Sequence, residues 1–500
     1  MTRATKRIAL LYRGPQREGK DDFSSFVPIG LFNVLKSLLA AGFQARLHNL
    51  SATPRAALAD SLAETRADAV LISAFFGCHH EAFLLAETAK KVGPKTPVIL
   101  GGPLSVLGAE LLARIPALDF VIRGEGEESA VRLLDALFGG AQNFPAIPGL
   151  VFRAPGGCRE NPARLLADLD SFFFLPSELL PHCRGVAPEN FAVLISSRGC
   201  PFHCAFCSST VLWQNKVRHH GVELLLRYLA DLRKTTGSLY FSLRDENFLV
   251  KRDHVQAFAK ALNDSGLHYL WNAQGSPQLI DASLAATLSG AGCDQIQMGI
   301  ETVSPRLLAL LNKKGAPERT LEAIRTLRHQ RIRPFGYFIY GMGESEEEGN
   351  DSLRFLRNSG LLDAVASPLV LYPGTRLAQE IAPQRFFAAG ELLLHSPESR
   401  KKWRRRYEEA LADLQARGGF SAKELAARKD EPLVATVARH FHYLERGESV
   451  RAERLLLELT ARQPDNPWGF ALLRRFYEGR GETKKARAMA KSLRRLGGRD

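Results

Sequence analysis

Ser197-Arg-Gly-Cys-Pro-Phe-His-Cys-Ala-Phe-Cys-Ser-Ser209 is the stretch on which the reading of this chain turns. Cys200, Cys204 and Cys207 are spaced CxxxCxxC, so three thiols fit on one tight loop and can point at one centre. Iron–sulfur clusters are held by cysteine thiolates. Three thiolates on a [4Fe–4S] cube leave one iron without a protein ligand, an open position of the kind metal catalysis uses. A zinc site is the competing reading, but structural zinc wants four ligands, commonly as two pairs. His203 is the local fourth donor, and it lies inside the loop beside Cys204, where reaching the same metal is awkward.

Outward from the loop, the chain is long enough for two to four domains. Its apolar content of 45% is ordinary for globular cores. No run approaches the length of a spanning helix. The basic start runs into Ile8-Ala-Leu-Leu-Tyr12 and then meets Arg13, Arg17 and Lys20 with no small-residue cleavage site, so a first β-strand is expected rather than a signal peptide. The cysteines outside the loop, Cys78, Cys158, Cys183 and Cys293, are scattered. That argues for a reducing, cytoplasmic setting rather than a disulfide framework. The net charge is +14, and the last hundred residues hold 24 Lys and Arg against 14 Asp and Glu. A solvated helical surface accounts for this excess, with an acidic protein partner or an anionic membrane surface as the alternatives. No aromatic-interleaved signature points to nucleic acid.

Four segments follow. Residues 1–145 alternate strands and helices: Ile8–Tyr12, a helix from Pro28 closed by Gly42, Ala69–Ser73 and its helix to about Lys91, Pro97–Pro103, and Phe120–Glu127. This alternation predicts an α/β, doubly wound parallel sheet with ligand at the strand C-termini. Residues 146–187 read as a connector that wraps between domains. Residues 188–382 hold six strand candidates ending near Ser197, Asp245, Gly275, Glu301, Gly343 and Pro373. Six βα units predict a partial TIM-like barrel, open on one side, with chemistry at the strand C-termini. Residues 383–500 are expected to be helical. Arg446-Gly-Glu448 recurs as Arg480-Gly-Glu482, and Ala452 as Ala486. That spacing of 34 is the tetratricopeptide period. About two copies are too few to stand alone, so they should dock on the barrel or a partner; a local helical hairpin with coincidental spacing is the alternative.

The cysteine spacing, with Phe206 before the last thiol, resembles the radical S-adenosylmethionine (SAM) superfamily. The elements Pro28-Ile-Gly30, Gly101-Gly-Pro103 and Gly124-Glu-Gly-Glu127 resemble the cobalamin-binding domain that precedes such barrels. The resemblance implies a cluster on Cys200, Cys204 and Cys207, with SAM chelated by the free iron. It places Phe206 by the adenine and Asp245 or Glu246 by the methionine ammonium, a charge-assisted contact; a helix N-cap is the other use of Asp245. Gln274 and Ser276 fall where ribose or carboxylate would be bound, although many relatives have a basic residue near Gln274. Glu301, in Gln297-Met-Gly-Ile-Glu301, would meet SAM or order the pocket, and Gly343 would clear space for it. Leu371-Tyr-Pro-Gly-Thr-Arg376 resembles the closing turn of the sixth strand. Tyr337, Tyr340 and Tyr372 are candidates for the substrate face, or are simply packed. For cobalamin, the resemblance singles out Ser73, Phe75, Gly101, Gly102, Gly124, Glu125 and Gly126, where glycines let backbone approach a flat macrocycle. The DxHxxG loop of many cobalamin proteins is absent; Ala74-Phe-Phe-Gly-Cys-His-His80 stands after the strand instead, with His79 and His80 as candidate cobalt ligands.

The activity this implies is cobalamin-dependent radical methylation of an unactivated carbon, or less often phosphorus, driven by a deoxyadenosyl radical. An electron donor such as flavodoxin or ferredoxin would be required, and the substrate, whether small molecule, lipid or peptide, is not legible. A cobalamin-independent radical enzyme with a vestigial domain, performing cyclisation, oxidation or carbon–carbon coupling, is the runner-up. A helical-repeat scaffold is the reading from another class. A methylthiotransferase would need a second cluster, and the N-terminal segment has only Cys78.

Overall fold

The structure, a computed structural model, describes residues 3–14, 26–140, 143–381, 387–388, 391–392, 401–417, 419–426 and 432–497. It forms two compact units. One comprises Met1–Phe191, Phe206–His219 and Leu371–Leu394; the other comprises Ala192–Ala205, His220–Val370 and His395–Asp500.

The first unit is built on one sheet. Its parallel centre is β1 (Arg7–Tyr12), β2 (Gln44–Asn49), β3 (Ala69–Ser73), β4 (Val98–Gly101) and β5 (Phe120–Ile122). Helices α1 (Ile29–Ala40), α2 (Leu58–Thr65), α3 (His79–Val92), α4 (Gly108–Arg114) and α5 (Glu127–Phe138) alternate with these strands. Every residue of β3 is buried, as expected where helices cover both faces of a parallel sheet. Helix α1 ends where the sequence places its stop: Gly42 adopts φ +87, and its N–H and that of Phe43 bond back to Leu39 and Leu38.

Two features depart from expectation. Strand β2, Gln44-Ala-Arg-Leu-His-Asn49, is absent from the predicted elements. Ala45 and Leu47 are buried while Gln44 and Arg46 are exposed, so its apolar signal is half that of β1 or β3. The connector is also more than a wrap. Its β6 (Leu150–Ala154) and β7 (Gly157–Glu160) form a hairpin that adds antiparallel strands beyond β5, and β8 (Cys183–Arg184) adds in parallel beyond β2. The sheet is therefore mixed and eight-stranded, in the order β7-β6-β5-β4-β3-β1-β2-β8. A short helix, α6 (Pro176–Leu179), lies in the same stretch, and α7 (Ser209–Trp213) follows the cysteine loop.

The second unit holds the predicted open barrel. Strands β9 (Val193–Leu194), β12 (Tyr240–Leu243), β13 (Leu270–Gly275), β14 (Cys293–Glu301), β15 (Arg333–Tyr340) and β16 (Asp363–Pro368) pair in parallel in that order. The two-residue strands β10 (Ser197–Arg198), of this unit, and β11 (Arg218–His219), of the first, bracket the cysteine loop in sequence. Helices α8 (Val222–Thr236), α9 (Arg252–Asp264), α10 (Ala282–Gly290), α11 (Pro305–Leu310), α12 (Pro317–His329) and α13 (Glu346–Asn358) intervene. Phe241 stacks on Trp271, and Phe248 and Phe258 meet that indole edge-on, so an aromatic core seals α9 against β12 and β13. Strands β13 and β14 end where predicted. Strand β15 stops at Tyr340, three residues before Gly343, because Gly341 turns to φ +82 and Glu344 accepts from the N–H groups of Gly341 and Met342. Strand β16 stops at Pro368, before the predicted Pro373. Helix α14 (Arg376–Ile381), which follows the closing turn, belongs to the first unit.

The C-terminal part of the second unit is helical: α15 (Lys402–Ala416), α16 (Leu433–Glu445), α17 (Ser449–Arg462), α18 (Pro467–Gly479) and α19 (Thr483–Arg495). The α18 and α19 pair begins 34 residues after the α16 and α17 pair, and Gly447 and Gly481 turn with the same φ of +72. The pairs dock on the barrel. Val434, Leu456, Leu473 and Tyr477 share a core with Leu270 of β13, and the Trp468 indole donates to the His268 carbonyl at 2.9 Å. Among the described residues, no helix is long and apolar enough to cross a membrane.

Candidate functional site

The cysteine loop is pinned from outside by backbone bonds. The N–H of Ala205 donates to the Leu311 carbonyl at 2.7 Å, and the Asn312 side chain donates to the His203 carbonyl at 2.6 Å. The next residue, Lys313, carries the local charge. Its ammonium lies 2.8 Å from the Glu301 carboxylate, and both side chains are nearly buried. Burial pushes the Cys200 and Cys204 thiols up, while Lys313 opposes that shift at both. Among the described residues, no three His, Cys, Asp or Glu side chains are already gathered as a metal nest. The donor chemistry nonetheless fits a cluster: three thiols within eight residues, on a braced loop, with a cation beside two of them to favour thiolate.

Strand ends supply the next layer. Asp245 is fully buried and accepts from the Ser196 N–H, the Ser196 hydroxyl and the Ser197 hydroxyl, all within 2.7 Å. Burial pushes its carboxyl up to about 6 against those bonds. It holds the strand that leads into the cysteine loop. Glu246 turns the other way and accepts from the Gly199 N–H at 2.9 Å, one residue before Cys200. The acidic pair thus divides into an inward brace and a carboxylate at the loop. Glu301 takes φ +64, a left-handed conformation unusual for a side chain of its size, where β14 and β15 shift register. A Cβ at Gly299 would come within 2.5 Å of the Glu301 carboxylate and 2.8 Å of the Lys313 ammonium, so glycine clears room for that ion pair. Gln274 is half-buried, and the Ser276 hydroxyl accepts from Asn247 at 2.7 Å. Phe206 is half-buried.

A polar network links β12, β14 and β15. Arg244 and Tyr337 both donate to the Gln297 amide oxygen, at 2.6 and 2.7 Å. Below it, Tyr240 donates to Asp294, which pairs with Arg333 at 2.8 Å. Lys313 and Arg244 were not singled out from the sequence. The visible signal for Arg244 is its position next to the acidic strand end; for Lys313 there is none, because its partner is set by the fold. Of the three tyrosines, Tyr337 joins this network. Tyr340 is buried and stacks on Tyr407 of α15 at 5.4 Å, so it packs rather than lining an open face. Tyr372 meets Phe76 edge-on at 4.9 Å. Its hydroxyl is pushed up, first by burial and then by Cys207 nearby.

In the first unit the singled-out residues crowd the C-terminal ends of β3, β4 and β5. Ser73 pairs in register with Gly101. Gly102 adopts φ +84, and a Cβ there would lie 2.6 Å from the Ser73 hydroxyl and 2.8 Å from the Ala74 carbonyl. The Phe75 carbonyl accepts from the Cys78 N–H. Gly124 takes φ +78, and a Cβ on Gly126 would press Val34 of α1 at 3.3 Å. Glu125 is nearly inaccessible; it pairs with Arg218 at 2.6 Å and accepts from the Leu166 N–H, which makes it a brace for this end of the sheet. His79 opens α3 directly after the β3 loop. It is 5% exposed, and neither ring nitrogen has a hydrogen-bond partner among the described residues. Burial, then His80, pushes it down to about 4, so the imidazole is neutral near pH 7. A glycine-cleared sheet end beside a buried imidazole with its lone pair uncommitted fits a broad, flat, metal-centred group.

The fold and these two sites define a two-part enzyme: a doubly wound domain with a glycine-cleared ligand edge, and an open parallel barrel carrying a three-cysteine loop. Residues 194–356 match the model of the radical SAM superfamily, and residues 24–134 match that of the B12 binding domain. An uncharacterized methyltransferase of Pyrococcus horikoshii is 31% identical over 314 residues, covering 62% of this chain and 68% of the relative. The cytidylyl-2-hydroxyethylphosphonate methyltransferase of Streptomyces wedmorensis is 26% identical, covering 65% of this chain and 68% of that one. Among solved structures, the radical SAM methyltransferase TsrM from Kitasatospora setae, with cobalamin and a [4Fe–4S] cluster bound, aligns with a TM-score of 0.66. It covers 88% of this chain and 95% of its own at 17% identity, a likeness of fold. The chain belongs to the radical SAM superfamily, in the methyltransferase-like group that carries an N-terminal B12 binding domain.

Proposed function

We propose that the protein is a cobalamin-dependent radical SAM methyltransferase that methylates an unactivated carbon, or a phosphorus, of its substrate. The observation that carries this reading is Tyr372. One edge of its ring packs on Phe76, in the loop after β3 of the B12 binding domain, and its hydroxyl lies within the field of Cys207. Phe76 of the B12 binding domain, Tyr372 of the closing turn and Cys207 of the loop thus belong to one compact unit, which supports a single enzyme that uses both kinds of site.

Cys200, Cys204 and Cys207 would hold a [4Fe–4S] cluster, and the sheet end around Ser73, Gly101, Gly102 and Gly124 would seat cobalamin. When bound, the cluster supplies one-electron reduction of SAM, and cobalamin supplies the transferable methyl group. The chain's own residues do the rest. Lys313, fixed by Glu301, favours the thiolate form of the cysteines beside it. Glu246 braces Gly199, and with it the entry to the loop. Phe206 and Glu246 would receive the adenine and the α-ammonium of SAM. Arg244, Gln297 and Tyr337 present an oriented polar lining to whatever enters the barrel. An external one-electron donor of the flavodoxin or ferredoxin kind completes the requirements.

The test is anaerobic reconstitution of the full chain with iron, sulfide and hydroxocobalamin, then dithionite and SAM. The expected result is about four irons per chain, retained corrinoid, and 5′-deoxyadenosine released on reduction. Protein that acquires the cluster and cleaves SAM yet retains no corrinoid would overturn the cobalamin half of the reading. Protein that acquires no cluster would overturn all of it.

A further inference from the structure

A second candidate ligand site lies along β2, the strand missing from the sequence reading. Here a cavity of about 970 Å³ opens between strands β1, β2 and β8 and the C-terminal end of α2. That falls within the range of small-molecule pockets. Its charge is one-sided: Arg7, Arg46, Arg66 and Arg184 line it against the single carboxylate of Glu64. None of these four guanidinium groups forms an ion pair among the described residues, although most arginines of this unit do.

The register explains the clustering. Arg46 and His48 are two residues apart on β2, so they share a face of the sheet. His48 pairs in register with Arg184 of β8, which puts that guanidinium on the same face. His48 reports the resulting field: burial first, then Arg184 and Arg46, push its imidazole down to about 4. A protein surface that gathers cations without counter-charges holds a cost that an anion relieves. Planar guanidinium forks match phosphate oxygens two at a time.

We propose that this groove binds a multivalent oxyanion, the phosphate groups of a phosphorylated small molecule or nucleotide, as a ligand site separate from the glycine-cleared end of the sheet. Polar lining residues are at hand for the remainder of such a ligand, with Ser61 and Thr65 of α2 facing the same cavity.

The test uses the full-length protein and inorganic pyrophosphate as the calorimetric probe, with ADP in a parallel arm. Saturable, one-site binding of pyrophosphate is expected, weakened at least about tenfold in the Arg46→Ala/Arg184→Ala double variant and unchanged in Arg114→Ala, whose guanidinium pairs with Glu110 elsewhere. Tighter binding of ADP would identify a nucleotide as the source of the phosphates, and equal binding a simpler phosphorylated molecule. Saturating hydroxocobalamin should leave the isotherm unchanged. Both substituted arginines are exposed, so the double variant should melt with the wild type, while pyrophosphate raises the melting temperature of the wild type alone. Absence of saturable binding at millimolar pyrophosphate, equal binding by the double variant, or competition by hydroxocobalamin would each overturn the proposal.

Discussion

On the proposed function, the C-terminal edge of the first sheet and that of the barrel would do comparable work with opposite materials. At the first, the working parts are absences: Gly101, Gly102, Gly124 and Gly126 remove side chains, and the nearby carboxylate, Glu125, is consumed by Arg218 and the Leu166 N–H. At the second, the working parts are charges: Glu246, Glu301 and Lys313 beside the cysteine loop, and Arg244 in the lumen. Backbone at close range suits a wide, flat ligand held by area and shape. Oriented charges suit a small zwitterion whose position must be set by a few strong bonds. On that reading, the same strand-end location would become two kinds of site according to whether the sequence places glycines or ionisable side chains there.

That contrast can be broken most severely at the cysteine loop. Cys204→Ala removes one of three soft donors and is expected to abolish reductive SAM cleavage, measured as 5′-deoxyadenosine, while far-ultraviolet circular dichroism stays unchanged. Retained cleavage would refute the charged site's role.

Next in size is the ion pair. Lys313→Met leaves the Glu301 carboxylate nearly buried and unpaired, a loss of about 3 kcal/mol in denaturant unfolding. Lys313→Met combined with Glu301→Gln should recover much of it. Failure to recover would mean that Lys313 is held by something other than this partner.

At the glycine-built edge, Gly102→Ala forces a side chain into φ +84 and against Ser73 and Ala74, for about 1–3 kcal/mol. It should also lower the corrinoid retained after reconstitution. An alanine variant as stable and as corrinoid-loaded as wild type would show that this edge is not closely fitted.

Asp245 gives a subtler effect, with a sign. Its folded-state carboxyl titrates near 6, above the ordinary 3.8, so the fold binds the proton more tightly than the unfolded chain does. This contribution to stability is full below the ordinary value and is lost as pH rises through about 6. Subtracting the pH–stability curve of Asp245→Asn from that of wild type should leave a decline between pH 4 and 6. A rise over that window would mean that the Ser196 and Ser197 bonds outweigh burial.

Smallest of all, Tyr337→Phe removes one of two donors to Gln297, for about 1 kcal/mol.

Legibility followed the range of the interactions. The cysteine loop, the glycine turns and the 34-residue helical period are local patterns, so they were readable. The division of labour between Asp245 and Glu246 was not, because adjacent residues look alike until the backbone aims one at Ser196 and the other at Gly199. Tyr340 looked like a lining residue until α15, from more than sixty positions away, covered it with Tyr407. Strand β2 escaped because a strand with one wet face carries half the apolar signal of one buried on both faces.

By itself, the order of residues carried the three-cysteine spacing of the loop, the βα alternation of both sheets and the helical character of the C-terminus. Each of these depends on neighbours a few positions apart. Tertiary structure alone decided that Lys313 serves Glu301, that the connector supplies three strands to the first sheet, that Tyr372 joins Phe76 to the field of Cys207, and that four arginines share one groove. Those outcomes depend on which distant segments the folded sheets bring into register, and a linear pattern carries no term for that.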